Sequence, residues 1–258
     1  MISCHHATRA LPSAVAVSGG PLRPWLHWRG HALVVGPGGF GQAMLAALPE
    51  RAPHLRLWSA GRSSADLPVD LADPASLERL GERVARELSP LRLVIYTAGL
   101  LHGPDLRPEK RLSHVEATAL RRSFEVNAWG PLLLAKAVEA ALPQGEPCHL
   151  ASLSARVGSI GDNRLGGWYA YRGAKAAQNQ LLRTLALEWR RRFPLACVTL
   201  LHPGTTATAL SAPFRSGVPE GSLFSPSQAA GYLLDVLERQ TPEASGAFLA
   251  WDGQPIPW

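Results

Sequence analysis

The sequence predicts an α/β fold: a single domain built on a doubly wound parallel sheet with helices on both faces. Three observations predict it. Short apolar runs alternate with helical stretches from His31 to the end of the chain; the first run breaks into a glycine cluster that opens a helix; and no Pro/Gly-rich linker or internal repeat divides the body.

The elements follow in order. Residues 31–35 form a short apolar run stopped by glycines, hence a buried strand, and 40–48 a helix closed by Pro49. A second strand is expected over 55–58. A helix follows over 74–88, with Asp73 as its cap and Pro74 in its first turn. Residues 91–96 read as a strand. The long helical stretch 115–142 contains Pro131, which predicts a kink or break. Strand 148–152, helix 168–192, strand 196–201, helix 228–240 and strand 247–251 complete the pattern.

Composition excludes several classes. With 18% charged and 46% apolar residues the chain can bury a core, which rules out disorder for its bulk. No apolar run reaches the roughly 18 to 20 residues that span a bilayer, so no membrane span is expected. Cys4, Cys148 and Cys197 lie far apart without a Cys-x-x-Cys pair, which excludes a disulfide scaffold and points to a reducing cytoplasm. No His/Asp/Glu cluster has ligand spacing, so no metal is expected. The net charge of +6 invites a nucleic-acid reading, but half of it comes from Arg9, Arg23 and Arg29. The densest basic run, Arg190-Arg191-Arg192, ends a helix, where cations suit the dipole. No nucleic-acid partner is expected. Residues 1–29 carry no acidic residue, three prolines and no periodicity. They read as a disordered extension rather than a targeting segment, leaving 30–258 as the folded domain.

The first strand runs into Gly36-Pro-Gly38-Gly39-Phe40-Gly41 and then a helix, a G-x-G-x-x-G turn in the context that gives it meaning. Glycines let the backbone approach a pyrophosphate, and the helix N-terminus faces it. An NAD site places Asp or Glu about 20 residues on, yet no acidic residue lies between Glu50 and Asp66. The second strand ends instead in Ser59-Ala-Gly-Arg62-Ser63. A guanidinium flanked by hydroxyls suits a 2′-phosphate, so NADP(H) is favoured over NAD(H). Asp70, with Leu71 beside it, is expected near the adenine; its bland role is turn formation.

Tyr171 and Lys175, at i and i+4, share one helix face. A phenol with a pKa near 10 is a poor proton shuttle; a nearby ammonium stabilises the phenolate and makes the pair a usable acid/base. Tyr169 has only Gly173 at i+4.

These stretches, together with Tyr96-Thr-Ala-Gly99, Val126-Asn127-Ala128 and Pro203-Gly204 in the same order along 31–258, resemble the short-chain dehydrogenase/reductase family. Within it the chain is most similar to the C-factor-like branch, through Gly99-Leu-Leu-His-Gly103, Pro108-Glu-Lys110, Gly166-Gly-Trp-Tyr-Ala-Tyr171 and Trp251-Asp-Gly. The resemblance implies a Rossmann-fold oxidoreductase moving hydride between NADP(H) and a carbonyl or secondary alcohol, commonly as a homodimer or homotetramer. It implies that Tyr171 exchanges the substrate proton, that Lys175 also holds the nicotinamide ribose, and that Asn127 supports a water relay or, more blandly, a helix irregularity. Ala98 and Gly99 would let the cofactor lie close, and Pro203, Gly204, Thr205 and Thr208 would shape the nicotinamide pocket. Residues 205–224 would form a lid, with Leu100, Leu101, His102, Trp168, Leu210 and Phe214 as an apolar wall.

Two departures stand out. The family's turn has three residues between its first two glycines; here Gly36 and Gly39 enclose two. The family's substrate-orienting serine falls on Ala155, three before Gly158. Ser154 is the expected substitute, through a one-residue irregularity, with Ser152 and Ser159 as weaker candidates. The missing serine also leaves open a nucleotide-binding regulatory protein with little turnover.

Overall fold

The structure, a computed structural model, describes residues 24–63, 65–219 and 221–258. Nine strands follow in chain order: β1 (Gly30–Val35), β2 (Leu55–Gly61), β3 (Leu67–Pro68), β4 (Leu91–Tyr96), β5 (Cys148–Leu153), β6 (Ala196–His202), β7 (Thr205–Thr206), β8 (Leu223–Phe224) and β9 (Ala247–Ala250). Six α-helices accompany them: α1 (Gly39–Ala47), α2 (Pro74–Glu87), α3 (Ala117–Phe124), α4 (Gly130–Val138), α5 (Tyr169–Arg192) and α6 (Pro226–Glu238). Seven strands form one parallel sheet in the order β3-β2-β1-β4-β5-β6-β9, and β7 pairs with β8 apart from it. The expected doubly wound sheet is present. Its order reverses between β1 and β4, where ligands of open α/β sheets bind outside the strand ends.

Alternation along each strand feeds two cores. Leu33 and Val35 of β1 face α2, α4 and α5 with Val94, Leu150 and Trp189, while Ala32 and Val34 face α1 and α6 with Met44, Leu93 and Leu233. At about 25 cal/mol per Å² of apolar surface removed from water, these two layers supply the main driving force for folding. No helix among the described residues is long and apolar enough to cross a membrane.

Asp73 caps α2 by accepting from the Ala75 N–H at 3.0 Å, with Pro74 at the first position. α6 starts at Pro226, two residues earlier than expected. Ser225 and Gln228 form a reciprocal capping box there, with Ser225 Oγ accepting from Gln228 N at 3.1 Å and Gln228 Oε1 from Ser225 N at 2.9 Å.

The stretch expected as one helix over 115–142 is split by a π-turn at Glu125–Trp129. Pro131 has no N–H to give to the carbonyl four residues back, that of Asn127, and Tyr96 Oη donates to the Val126 carbonyl at 2.7 Å. Within the extension expected over 1–29, Pro24–His27 form a 3-10 turn and Trp25 is 1% exposed against the α1/α6 core, so order reaches at least six residues ahead of position 30. Residues 1–23 lie outside the described residues.

Candidate active site

The glycine turn between β1 and α1 opens the site. Gly36 has φ +88°, and a Cβ there would stand 2.6 Å from Ala98 N; a Cβ on Gly41 would stand 2.4 Å from the Gly36 carbonyl oxygen. The one-residue-shorter loop closes as a tight turn, Gly38 N–H to Gly36 O at 2.8 Å, and Thr97 Oγ1 donates to the same oxygen at 2.6 Å. Positions 38 and 39 have no heavy atom within 4 Å of where a Cβ would be. They face a cleft of about 970 Å³ at the carboxyl ends of the strands.

That cleft is lined by Gly36, Gly38, Gly39, Phe40, Gly41, Arg62, Asp70, Leu71, Ala98 and Gly99 on one side. Ser154, Tyr171, Lys175, Pro203, Gly204, Thr205 and Thr208 line the other. Two expected site residues do not line it. Ser59 is turned away: its Oγ donates to Asp66 Oδ2 at 2.7 Å, and its N–H reaches the same oxygen at 2.8 Å. The hydroxyl expected beside Arg62 therefore belongs to a clamp between β2 and the loop after it. Asn127 is fully buried, and its side chain clasps Leu100 from both sides. Leu100 N–H donates to Oδ1 at 2.9 Å and Nδ2 donates to the Leu100 carbonyl at 2.7 Å, with Ser123 Oγ a further acceptor at 3.1 Å. The amide thus anchors the loop that bears Gly99. Asp70 Oδ1 accepts from Ala72 N at 3.0 Å, a turn contact, while the residue also lines the cleft.

Ser154 lines the cleft with its hydroxyl engaged away from it. Its backbone continues the β5 pairing, N–H to Leu201 O at 2.7 Å, and its hydroxyl donates to Asn179 Oδ1 on α5 at 2.6 Å. Ala155 is extended, at φ −153° and ψ 147°. Ser152 Oγ accepts from Gln178 Nε2 at 2.7 Å and Ser159 Oγ from Asp162 N at 3.1 Å. Ala155 itself lines the cleft.

Tyr171 and Lys175 sit one turn apart near the start of α5, both buried. Lys175 Nζ donates to the Leu153 carbonyl at 2.7 Å and to Gln178 Oε1 at 2.9 Å, and lies 5.8 Å from the centre of the Tyr171 ring. Burial works against the shift expected of this pair. Burial pushes the Tyr171 hydroxyl above its ordinary range and pulls Lys175 down to about 7. Burial disfavours the charged form of each group, the phenolate of Tyr171 and the ammonium of Lys175.

This has a consequence for stability. Between about 7 and the ordinary 10.5 the unfolded chain holds a proton on Lys175 that the folded chain has released, so stability rises with pH across that window. The buried thiols of Cys148 and Cys197, pushed up from 9.0 to about 12, work in the opposite sense above about pH 9. Urea unfolding is expected to show a higher midpoint at about pH 9 than at about pH 7, and Lys175→Met is expected to remove most of the rise. An equal rise in the variant would contradict the assignment to Lys175.

The outer part of the cleft is aromatic. Phe214, on the 3-10 turn Ala212–Gly217 of the expected lid, packs 5.0 Å from Trp168 and 5.8 Å from His102. His102 Nε2 lies 3.2 Å from the Ala209 and Leu210 carbonyls, which ties the loop after Gly99 to the segment expected as a lid. Sequence reasoning missed four further residues. Thr97 supports the glycine turn and Gln178 holds Lys175. Glu109 is 2% exposed and accepts from Ala170 N at 3.2 Å at the start of α5. His202 lines the cleft, and burial, then Arg156, hold its imidazole down to about 4, so it is neutral. Gln178, three residues after Lys175, was the one with a readable signal, since i and i+3 share a face.

The profile of the family described as short chain dehydrogenase matches residues 31–218. The 1-hydroxy-2-glutathionyl-2-methyl-3-butene dehydrogenase of Rhodococcus sp. (strain AD45) is 33% identical over 190 residues, covering 74% of this chain and 78% of that one. The C-signal protein of Myxococcus xanthus is 36% identical over 148 residues, 57% of this chain and 83% of that one. Among solved structures, the NADPH-bound carbonyl reductase from chicken fatty liver superposes with a TM-score of 0.76 at 23% identity, over 90% of this chain and all of that one, a likeness of fold. The chain belongs to the short-chain dehydrogenase/reductase family. It is an oxidoreductase of the class that interconverts alcohols and carbonyls, in a family that binds NAD(P).

Proposed function

We propose that the protein transfers a hydride between NADP(H) and a carbonyl or secondary-alcohol substrate, with Tyr171 exchanging the proton at the substrate oxygen. One observation carries this reading: Tyr171 and Lys175 open into the same cleft as the left-handed glycine turn. The free space over Gly38 and Gly39, beside the N-terminus of α1, fits a pyrophosphate. Arg62 is exposed at the mouth of the cleft, and the nearest carboxylate after β2, Asp66, is already committed to Ser59. That charge arrangement suits a 2′-phosphate better than a free ribose hydroxyl.

When bound, the cofactor supplies or takes the hydride. Tyr171 Oη gives its proton to the oxygen in reduction and takes one in oxidation. Lys175 supplies the positive charge that favours the phenolate and would hold the nicotinamide ribose. Asn127 fixes the Gly99–Leu100 floor, and Pro203, Gly204, Thr205 and Thr208 form the far wall. The exposed Tyr169 and Leu187 on α5 suit self-association as a dimer or tetramer. The buried free thiols Cys148 and Cys197 suit a reducing, cytoplasmic setting.

Arg62→Ala is expected to weaken NADPH binding about tenfold or more and NADH binding by less than about threefold, because only the 2′-phosphate uses the guanidinium. Fluorescence titration of both cofactors checks this; equal losses would remove the case for NADP(H). Ala155, and a relative named for signalling, favour a second reading, a regulatory nucleotide-binding protein. NADPH oxidation across a panel of aldehydes and ketones separates the two. Turnover that exceeds Tyr171→Phe supports the enzyme, and none on any substrate supports the regulator.

A further inference from the structure

Resting on the reading that the cleft takes a carbonyl substrate, we propose that Trp168 is the specificity-determining wall of the substrate pocket. It selects flat, unsaturated carbonyl compounds, such as aromatic ketones and aldehydes, over small saturated ones. Gly166 (φ 62°), Gly167 (φ 65°) and Trp168 (φ 53°, ψ 44°) are left-handed in succession, and Trp168 is the one non-glycine with positive φ among the described residues. Glycine takes this conformation freely, whereas a bulky side chain there is strained and persists only where its surroundings over-determine it.

The surroundings do so. Trp168 N–H donates to the Glu109 carbonyl at 2.5 Å, and buried Glu109 also accepts from Ala170 N through Oε2. Arg172 Nε donates to the Gly166 and Gly167 carbonyls at 3.2 and 3.0 Å. All of these bonds are made by backbone groups of the turn, so a third glycine would run the same turn without strain. The indole is therefore what the strained position retains, and its contacts face the site. Its ring lies 6.3 Å from Tyr171, edge to face, and 5.0 Å from Phe214, which in turn meets His102 at 5.8 Å. A continuous aromatic wall thus runs from the acid/base to the lid. A planar π-system gains edge and face contacts along it, and a small saturated ketone covers little of it.

The test compares the parent with Trp168→Gly, which keeps the left-handed backbone and removes the ring, and Trp168→Phe, which keeps a ring. All three are first matched for melting temperature and NADPH affinity. If the glycine variant fails to fold, Trp168→Asn, whose side chain tolerates this conformation, replaces it. One readout is the ratio of kcat/KM for acetophenone over butanone with NADPH. The other is the calorimetric Kd of acetophenone for the NADP⁺-saturated protein, which needs no turnover. Trp168→Gly is expected to lower the ratio and weaken binding by about tenfold each, with Trp168→Phe within about threefold of the parent. A ratio and Kd unchanged by Trp168→Gly, or a parent that binds no acetophenone, overturns the proposal. A parent that binds acetophenone through Trp168 but turns over no carbonyl overturns the proposed function and leaves the wall standing.

Discussion

Tyr171→Phe is expected to lower kcat by about a thousandfold with NADPH affinity within about threefold of the parent, the loss typical of removing a positioned acid/base. That factor corresponds to about 4 kcal/mol of transition-state stabilisation. The structure makes the experiment clean. The Tyr171 ring is buried against Trp168 and beneath Lys175 Nζ, and phenylalanine fills the same volume. Only the hydroxyl is lost, and that hydroxyl is the one group in the cleft paired with a lysine on the same helix face. A smaller fall, under about tenfold, would mean that the proton moves elsewhere. The parallel loss of kcat and kcat/KM would show that the hydroxyl acts in the transition state rather than in ground-state binding.

Ala155→Ser is expected to raise kcat by about tenfold or more, since a preorganised donor to a developing oxyanion is worth about a hundredfold where it has been removed from other sites. The backbone at Ala155 is extended, a conformation serine adopts without cost, and the residue lines the cleft. The other serines of the segment are placed differently: Ser154 gives its proton to Asn179, and neither Ser152 nor Ser159 lines the cleft. The gain should vanish in the Ala155→Ser/Tyr171→Phe double variant, because the serine orients an oxygen that only Tyr171 protonates. An unchanged or lower kcat in the single variant would place the second donor elsewhere, with neutral His202, which also lines the cleft, the group to test next.

Much of this was legible in the sequence where a local pattern controls the outcome. Buried strands such as β1, β4 and β6 are short, mostly apolar runs, and α2 announces itself through Asp73 and Pro74. The two-residue strands β3, β7 and β8 carry no periodicity because pairing across the fold makes them. The capping box Ser225-Pro-Ser-Gln228 was present in the sequence and decided where α6 begins. The π-turn was only half visible: Pro131 marks it, while Tyr96, arriving from β4, fixes which carbonyl is taken up.

The candidate site divides in the same way. The glycine turn and the Tyr171/Lys175 pair are local and read directly. The fates of Ser59, Ser154 and Asn127 depend on Asp66, Asn179 and Leu100, partners that only the folded chain brings within reach. The balance between attraction and burial at Lys175 is likewise a property of the interior, which no spacing reveals.

A cleft without the family's serine is proposed to support hydride transfer from the nicotinamide, with Tyr171 moving the proton. Deuterium transfer from NADPD, deuterated on the transferring face of its nicotinamide, to a ketone tests it most directly. One deuterium is expected on the carbinol carbon of each alcohol formed, with product formation collapsing in Tyr171→Phe. Alcohol without deuterium, or equal product from parent and variant, would contradict it.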